Sequence, residues 1–146
     1  MTRIDFHSNV SNQLDYACRL VRKALAANCR VTVRLESAEQ LSQFDALLWA
    51  FSPSDFLPHV TLNEHGVHAL AEHTPVLLTL PATENQGAQD NDQILLNLST
   101  GVPADFTRFE RLIEIVPQAE ADTHAGRQRY RFYQQQGYPL NHIPVK

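Results

Sequence analysis

Residues 30–50 read RVTVRLESAEQLSQFDALLWA. Arg30 to Leu35 alternate around β-branched valine and threonine, which signals a strand. Ser37 follows with Gln40 three places on, the spacing of a capping box at a helix start. Leu41, Phe44, Leu47 and Leu48 then recur at three and four, which predicts a helix to about Ala50 with one apolar face. Upstream, Arg3 to Phe6 is short and alternating, and Ser8 or Ser11 can cap what comes next. From Asn12 to Ala27 the apolar set Leu14, Ala17, Cys18, Val21, Ala24 and Leu25 gives another amphipathic helix, with Arg19, Arg22 and Lys23 turned outward. Asn28 suits the residue after its end. Strand, helix, strand, helix in sequence predicts an α/β fold: a three-layer, Rossmann-like, mostly parallel sheet flanked by helices.

Downstream the signals weaken and then return. Ser52-Pro53 and Leu57-Pro58 break the helix and set an irregular segment. Val60 to Ala71 is ambiguous. VLLTL after Pro75 and ILLNL from Ile94 are continuous apolar runs, as in strands buried on both faces. Between them lies PATENQGAQDNDQ, polar enough to predict a mobile loop. Phe106 and Phe109 belong to a short helix or turn, and Arg111 to Val116 forms the next strand. Ala119 to Gln136 is the last helix, with Gly126 a break in its propensity and Gly137 at its left-handed end position. Pro139 to Lys146 reads as an extended tail.

The chain has 146 residues, 43% hydrophobic and 19% charged, with a net charge of −4. This predicts one domain over residues 1–146. No apolar run approaches the ~20 residues that span a bilayer, and the first ten residues lack a signal-peptide core, so the expected location is the cytoplasm. The acidic balance weighs against wrapping of nucleic acid, which rests on phosphate neutralisation. Cys18 and Cys29 form no Cys-x-x-Cys pair and read as two reduced, buried thiols.

Catalytic signatures are missing. The five glycines are scattered, and neither G-x-x-x-x-G-K-[ST] nor G-x-G-x-x-G occurs, so the phosphate-binding loop of nucleotide-binding α/β folds is absent. No G-x-S-x-G elbow occurs. Asp90 and Asp92 sit in the polar loop with nothing to raise a carboxyl pKa. His59, His65, His68 and His73 with Glu64 and Glu72 cluster in one segment, yet they make no H-E-x-x-H helix, and exposed loop histidines are the expectation. Neither metal nor cofactor is expected.

Two stretches stand out instead. FDALLWAFSPSDFLPH, Phe44 to His59, holds the only tryptophan and three phenylalanines. Its aromatics either close a core or anchor a partner. RQRYRFYQQQGY, Arg127 to Tyr138, is basic and aromatic together. On a helix Arg127, Tyr130, Arg131 and Gln134 share a face, while Arg129, Phe132 and Tyr133 point elsewhere. Two guanidinium groups flanking a phenol can take carboxylates and stack a ring or proline. An ordinary solvated face, with Tyr130 packed on the sheet, is the alternative.

ALLWAFSPSDFLPH, LLTLPATENQGAQDNDQILLNLS and IVPQAEADTHAGRQRYRFYQQQGYPL, in this order and spacing, resemble the chi subunit family of bacterial DNA polymerase III holoenzyme. The resemblance spans essentially the whole chain. It implies a nucleotide-binding-like fold without nucleotide chemistry, and a non-catalytic clamp-loader accessory protein in DNA replication. It implies two partners: the psi subunit, and the acidic C-terminal tail of single-stranded DNA-binding protein, which ends in an apolar ring and a free carboxylate. The family's tail site falls on Val116, Arg127, Tyr130 and Arg131. Where many relatives carry a lysine upstream, Thr123 and His124 stand here, which lowers the positive charge offered. The psi surface falls on Trp49 and Phe56, and a helicase-like protein uses that surface in some relatives. A small α/β enzyme and a direct single-stranded nucleic-acid-binding module are the alternative readings.

Overall fold

The computed structural model describes residues 2–51, 59–61, 75–81 and 93–145. Among them, seven strands form one sheet: β1 (Arg3–Val10), β2 (Val31–Arg34), β3 (His59–Thr61), β4 (Val76–Thr79), β5 (Ile94–Asn97), β6 (Arg111–Pro117) and β7 (Leu140–Pro144). Three α-helices accompany them: α1 (Gln13–Ala26), α2 (Ala38–Phe51) and α3 (Glu120–Gln135). The strand order is β3-β4-β2-β5-β6-β1-β7, and every pairing is parallel. The α/β fold is therefore as expected, with helices on both faces.

Parallel strands need crossovers, and the crossover helices cover the sheet. On one face Ala17, Cys18 and Val21 of α1 and Leu41, Phe44 and Leu48 of α2 pack on Val31, Val33, Val76, Leu78, Leu96, Ile113 and Ile115. On the other, Tyr133 of α3 packs with Ile4, Phe6, Leu95, Phe106, Leu112 and Val116. β2 consequently buries all four residues instead of alternating. Leu47, assigned to the apolar face of α2, is 38% exposed. Of the two cysteines, Cys18 is buried, with burial pushing its thiol up to about 12, whereas Cys29 is only half-buried.

The element ends follow local chemistry. Asn12, and neither Ser8 nor Ser11, caps α1: its Oδ1 accepts from Asp15 N–H at 3.1 Å. Asn28, at φ +61°, turns the chain out of α1, and Gly137, at φ +82°, does so after α3. Ser37 Oγ accepts from Gln40 N–H at 3.2 Å, but Gln40 Oε1 accepts from Glu36 N–H at 2.7 Å, so the capping box closes one residue early. β1 runs four residues past Phe6, through a register break between His7 and Val10 that contains Asn9 at φ +62°. The C-terminal stretch expected as a tail is β7, an edge strand on β1 with Ile4 opposite Leu140 and Ser8 opposite Pro144. The ambiguous segment after Val60, the polar loop, and the histidine and aspartate clusters lie outside the described residues, apart from strand β3 at their start.

Two buried ion pairs tie the sheet to the segments that cover it. Arg34 donates to both carboxylate oxygens of Asp105, at 2.8 and 2.9 Å, joining the end of β2 to the segment before the 3₁₀ turn Phe106–Arg108. Under α3, Glu114 is fully buried. Its carboxylate accepts from Arg129 Nε at 3.0 Å, Tyr133 Oη–H at 2.6 Å and Asn97 Nδ2 at 3.0 Å. Burial pushes the Glu114 carboxyl up, and Arg129, Tyr133 and Asn97 oppose the rise.

On the opposite face His7 is buried with Nδ1 bonded to the Tyr16 hydroxyl, while Nε2 has no hydrogen-bond partner. Burial lowers its pKa, Asp5 opposes, and Arg111 and Lys23 lower it further. Folded His7 thus resists a proton that the unfolded chain accepts below about pH 6.5. Stability is expected to fall as pH drops below 6.5, by at most about 1.4 kcal/mol per unit for this one proton. Chemical denaturation of the protein and of His7→Gln across pH 7 to 5 should show a shallower pH dependence in the variant. Parallel profiles would remove His7 from the cause.

Candidate functional site: an apolar cleft with a basic rim

β1 leaves the sheet into α1 on one face, and its neighbour β6 leaves into α3 on the other. Adjacent strands whose connections part in this way open a crevice at their carboxyl ends, where α/β folds hold ligands. A cleft of about 470 Å³ lies beside this point on the α3 face. Phe6 and Ser8 of β1, Val116 of β6, His142 of β7, and Thr123, Gly126, Arg127, Tyr130 and Arg131 of α3 line it. The four residues expected at a tail site, Val116, Arg127, Tyr130 and Arg131, are thus brought to one concavity. Gln134, grouped with them by helical spacing, is exposed beyond it.

The helix wheel explains the division of α3. Arg129 and Tyr133, one turn apart, point down to Glu114 and are 5% and 0% exposed. That fixes Arg127 and Arg131 outward, both exposed, and leaves Tyr130 half-buried at the edge. Tyr130 packs edge-on against Phe6, with centroids 5.1 Å apart at 68°. One edge of this ring therefore meets Phe6 while another lines the cleft. Val116, 4% exposed, lies in the floor. Among the described residues no carboxylate lines the cleft, so its apolar floor carries two cations at the rim with no described acid between them. Such a site suits a ligand with one apolar group beside an anionic one.

Sequence reasoning missed Ser8 and His142. His142 Nε2 lies 2.7 Å from Ser8 Oγ and closes the far wall. Only the pairing of β7 with β1 brings them together, and no local signal marks that pairing. Gly126 was legible only as a break in propensity. A Cβ there would stand 2.9 and 3.0 Å from the two γ-carbons of Val116, so the glycine lets α3 approach β6 and sets the depth of the cleft. Trp49 stands well away from this cleft in sequence, at the end of α2, and is 56% exposed. It is therefore not a core residue. Phe56 lies outside the described residues. No group of three or more His, Cys, Asp or Glu residues placed to hold a metal occurs among the described residues. No described helix is long and apolar enough to cross a membrane.

Gly126→Ala should gain about 1 kcal/mol of helix propensity and lose about 1–3 kcal/mol to overpacking against the stiff valine. Thermal unfolding is expected to show a net loss. In a Val116→Ala background the same change should stabilise, because the clash is gone. A stabilising effect in both backgrounds would mean that Val116 does not constrain the helix.

A solved structure of domain 2 of the DEAD-box helicase Mss116p bound to an RNA duplex superposes with a TM-score of 0.65 at 10% identity. The chain is covered completely and spans 64% of that structure, a likeness that shows the fold alone. Among sequence relatives, the DNA polymerase III subunit chi of Pseudomonas aeruginosa is 34% identical over 144 residues, 96% of this chain and 94% of the relative. The subunits chi of Escherichia coli and Haemophilus influenzae are 30% and 28% identical, covering 85% and 87% of this chain and 80% and 83% of their own. The family model for DNA polymerase III chi subunit, HolC, matches residues 1–141. The chain belongs to the DNA polymerase III chi subunit family.

Proposed function

We propose that this chi-family chain is a non-catalytic, cytoplasmic adaptor of the clamp-loader assembly. It bridges the psi subunit and the acidic C-terminal tail of single-stranded DNA-binding protein. The observation that carries the tail half is the α3 cleft: an apolar floor from Val116, Phe6 and Tyr130 beneath the exposed guanidiniums of Arg127 and Arg131. An apolar ring would fill the floor while its terminal carboxylate meets Arg127 or Arg131 in charge-assisted hydrogen bonds. Acidic residues upstream would lie along the same rim. Because that rim is exposed, salt would weaken binding by screening.

The psi half rests on Trp49. A tryptophan 56% exposed at the end of a helix suits a surface that a partner covers. Phe56, seven residues on, would extend it. The two surfaces belong to helices on opposite faces of the sheet, so both partners could be held at once.

Arg127→Ala should weaken binding of a synthetic acidic peptide ending in phenylalanine by about 1.5–3 kcal/mol, the range for hydrogen bonds to a charged group. Calorimetric titration measures this, and unchanged affinity would remove Arg127 from the site. Trp49→Ala should leave peptide affinity and folding stability within roughly 0.5 kcal/mol of the parent, as for an exposed position, while reducing association with psi. Loss of stability and of both partners together would instead assign Trp49 a structural role.

A further inference from the structure

We infer that His142 is a third anion-binding group of the α3 cleft, which takes a carboxylate of the acidic tail from the β7 wall when its imidazole is charged. This rests on the tail reading above and adds to it a contact that depends on pH.

The register of the edge strand places the residue. Phe6 pairs with His142, and Ser8 with Pro144. Paired residues of parallel strands share a face, and Phe6 and Ser8 line the cleft, so His142 stands on the α3 side of β7. Leu140, two residues back, packs with the cluster beneath α3, as that alternation requires. A slip of one residue would turn His142 to the other face. It is exposed in the cleft wall.

The contact with Ser8 decides what the ring can offer. His142 Nε2 lies 2.7 Å from Ser8 Oγ, and among the described residues Nδ1 has no partner. In the imidazolium both ring nitrogens donate. Nε2–H then donates to Ser8 Oγ, which holds the ring, and Nδ1–H is left for a carboxylate. Ser8 also keeps its own O–H for the ligand. The neutral ring has the same shape and no charge.

The charged groups that share the cleft are of one sign. Arg127 and Arg131 line it with Tyr130, while Glu120 and Asp122 in the first turn of α3 do not. Asp5 and His7 alternate onto the other face of β1, where they meet Arg111 and Tyr16. His124 lies beside Gln128 and does not line the cleft. A carboxylate of the tail therefore meets His142 with no described acid competing, and it favours the charged ring. Histidine as a residue type changes charge between about pH 5 and 8, whereas peptide aspartates and glutamates stay ionised above about pH 5. Affinity thus rises as pH falls through this range. Loss of the peptide's own charges, or unfolding through His7, acts in the opposite direction.

Calorimetry on the full-length protein tests this with a synthetic acidic peptide ending in phenylalanine and a free carboxylate, at about pH 8 and about pH 5.5, in buffers of different ionisation enthalpy. Binding is expected to be about two- to fivefold tighter at the lower pH, the span of an exposed ion pair, with uptake of a fraction of a proton. His142→Gln, which keeps a donor for Ser8 and carries no charge, should lose both the gain and the uptake. His124→Gln should keep both. Binding that is independent of pH, a gain that survives in His142→Gln, or one that vanishes in His124→Gln would overturn the role of His142 and leave the tail site standing. No binding at either pH would overturn the tail reading and this inference with it.

Discussion

Glu114 is the residue on which the geometry of this protein turns. A carboxyl group at 0% exposure against a guanidinium is tolerated only if the charge and the lone pairs of the cluster are met. Arg129, Tyr133 and Asn97 meet them, and two of these three lie on α3. The helix therefore has one rotational setting, because any other leaves a buried charge without its donors. Gly126 against Val116 sets its distance from the sheet in the same way. Rotation and distance together decide what the outer face presents: Arg127 and Arg131 at the rim of a cleft, and Tyr130 at its edge. The exposed cleft is the reverse side of a buried polar lock.

The layout of the sheet carries the rest. Because β1 and β6 send their helices to opposite faces, the cleft opens beside their carboxyl ends, where related folds place their ligands. The likeness to a helicase domain is one of architecture, and architecture does not assign chemistry. In this chain the glycine-rich phosphate loop is absent from the sequence, and the crevice is bordered by arginines from a helix instead. On the proposed reading, a surface that takes a carboxylate and a ring needs no catalytic group. On the other layer of helices, Trp49 of α2 stands exposed.

Much of this was legible in the sequence. Runs such as VLLTL and ILLNL read as strands buried on both faces, and the periodic helices between strands point to parallel pairing. Gly137 was expected at a left-handed exit and Asn28 at a helix end, and both have positive φ. The four cleft residues were named through family resemblance, while spacing alone grouped Arg127, Tyr130 and Arg131. What escaped were features made by distant partners. Arg34 and Asp105 stand 71 positions apart, and Ser8 and His142 stand 134 apart. Glu114 looked like one polar residue in an apolar strand, since its partners lie on other elements. β7 is polar and bracketed by prolines, and becomes a strand only because β1 offers its edge.

The central claim, that the α3 cleft holds an acidic tail through its terminal carboxylate, is tested most directly by one comparison. A synthetic acidic peptide ending in Ile-Pro-Phe would be titrated calorimetrically into the protein, with a free and with an amidated terminus, at low and at moderate salt. The expected result is saturable, salt-sensitive binding of the free acid and a loss of about tenfold or more on amidation, as for a charge-assisted contact. Equal affinities for the two peptides, or no binding of either, would contradict it.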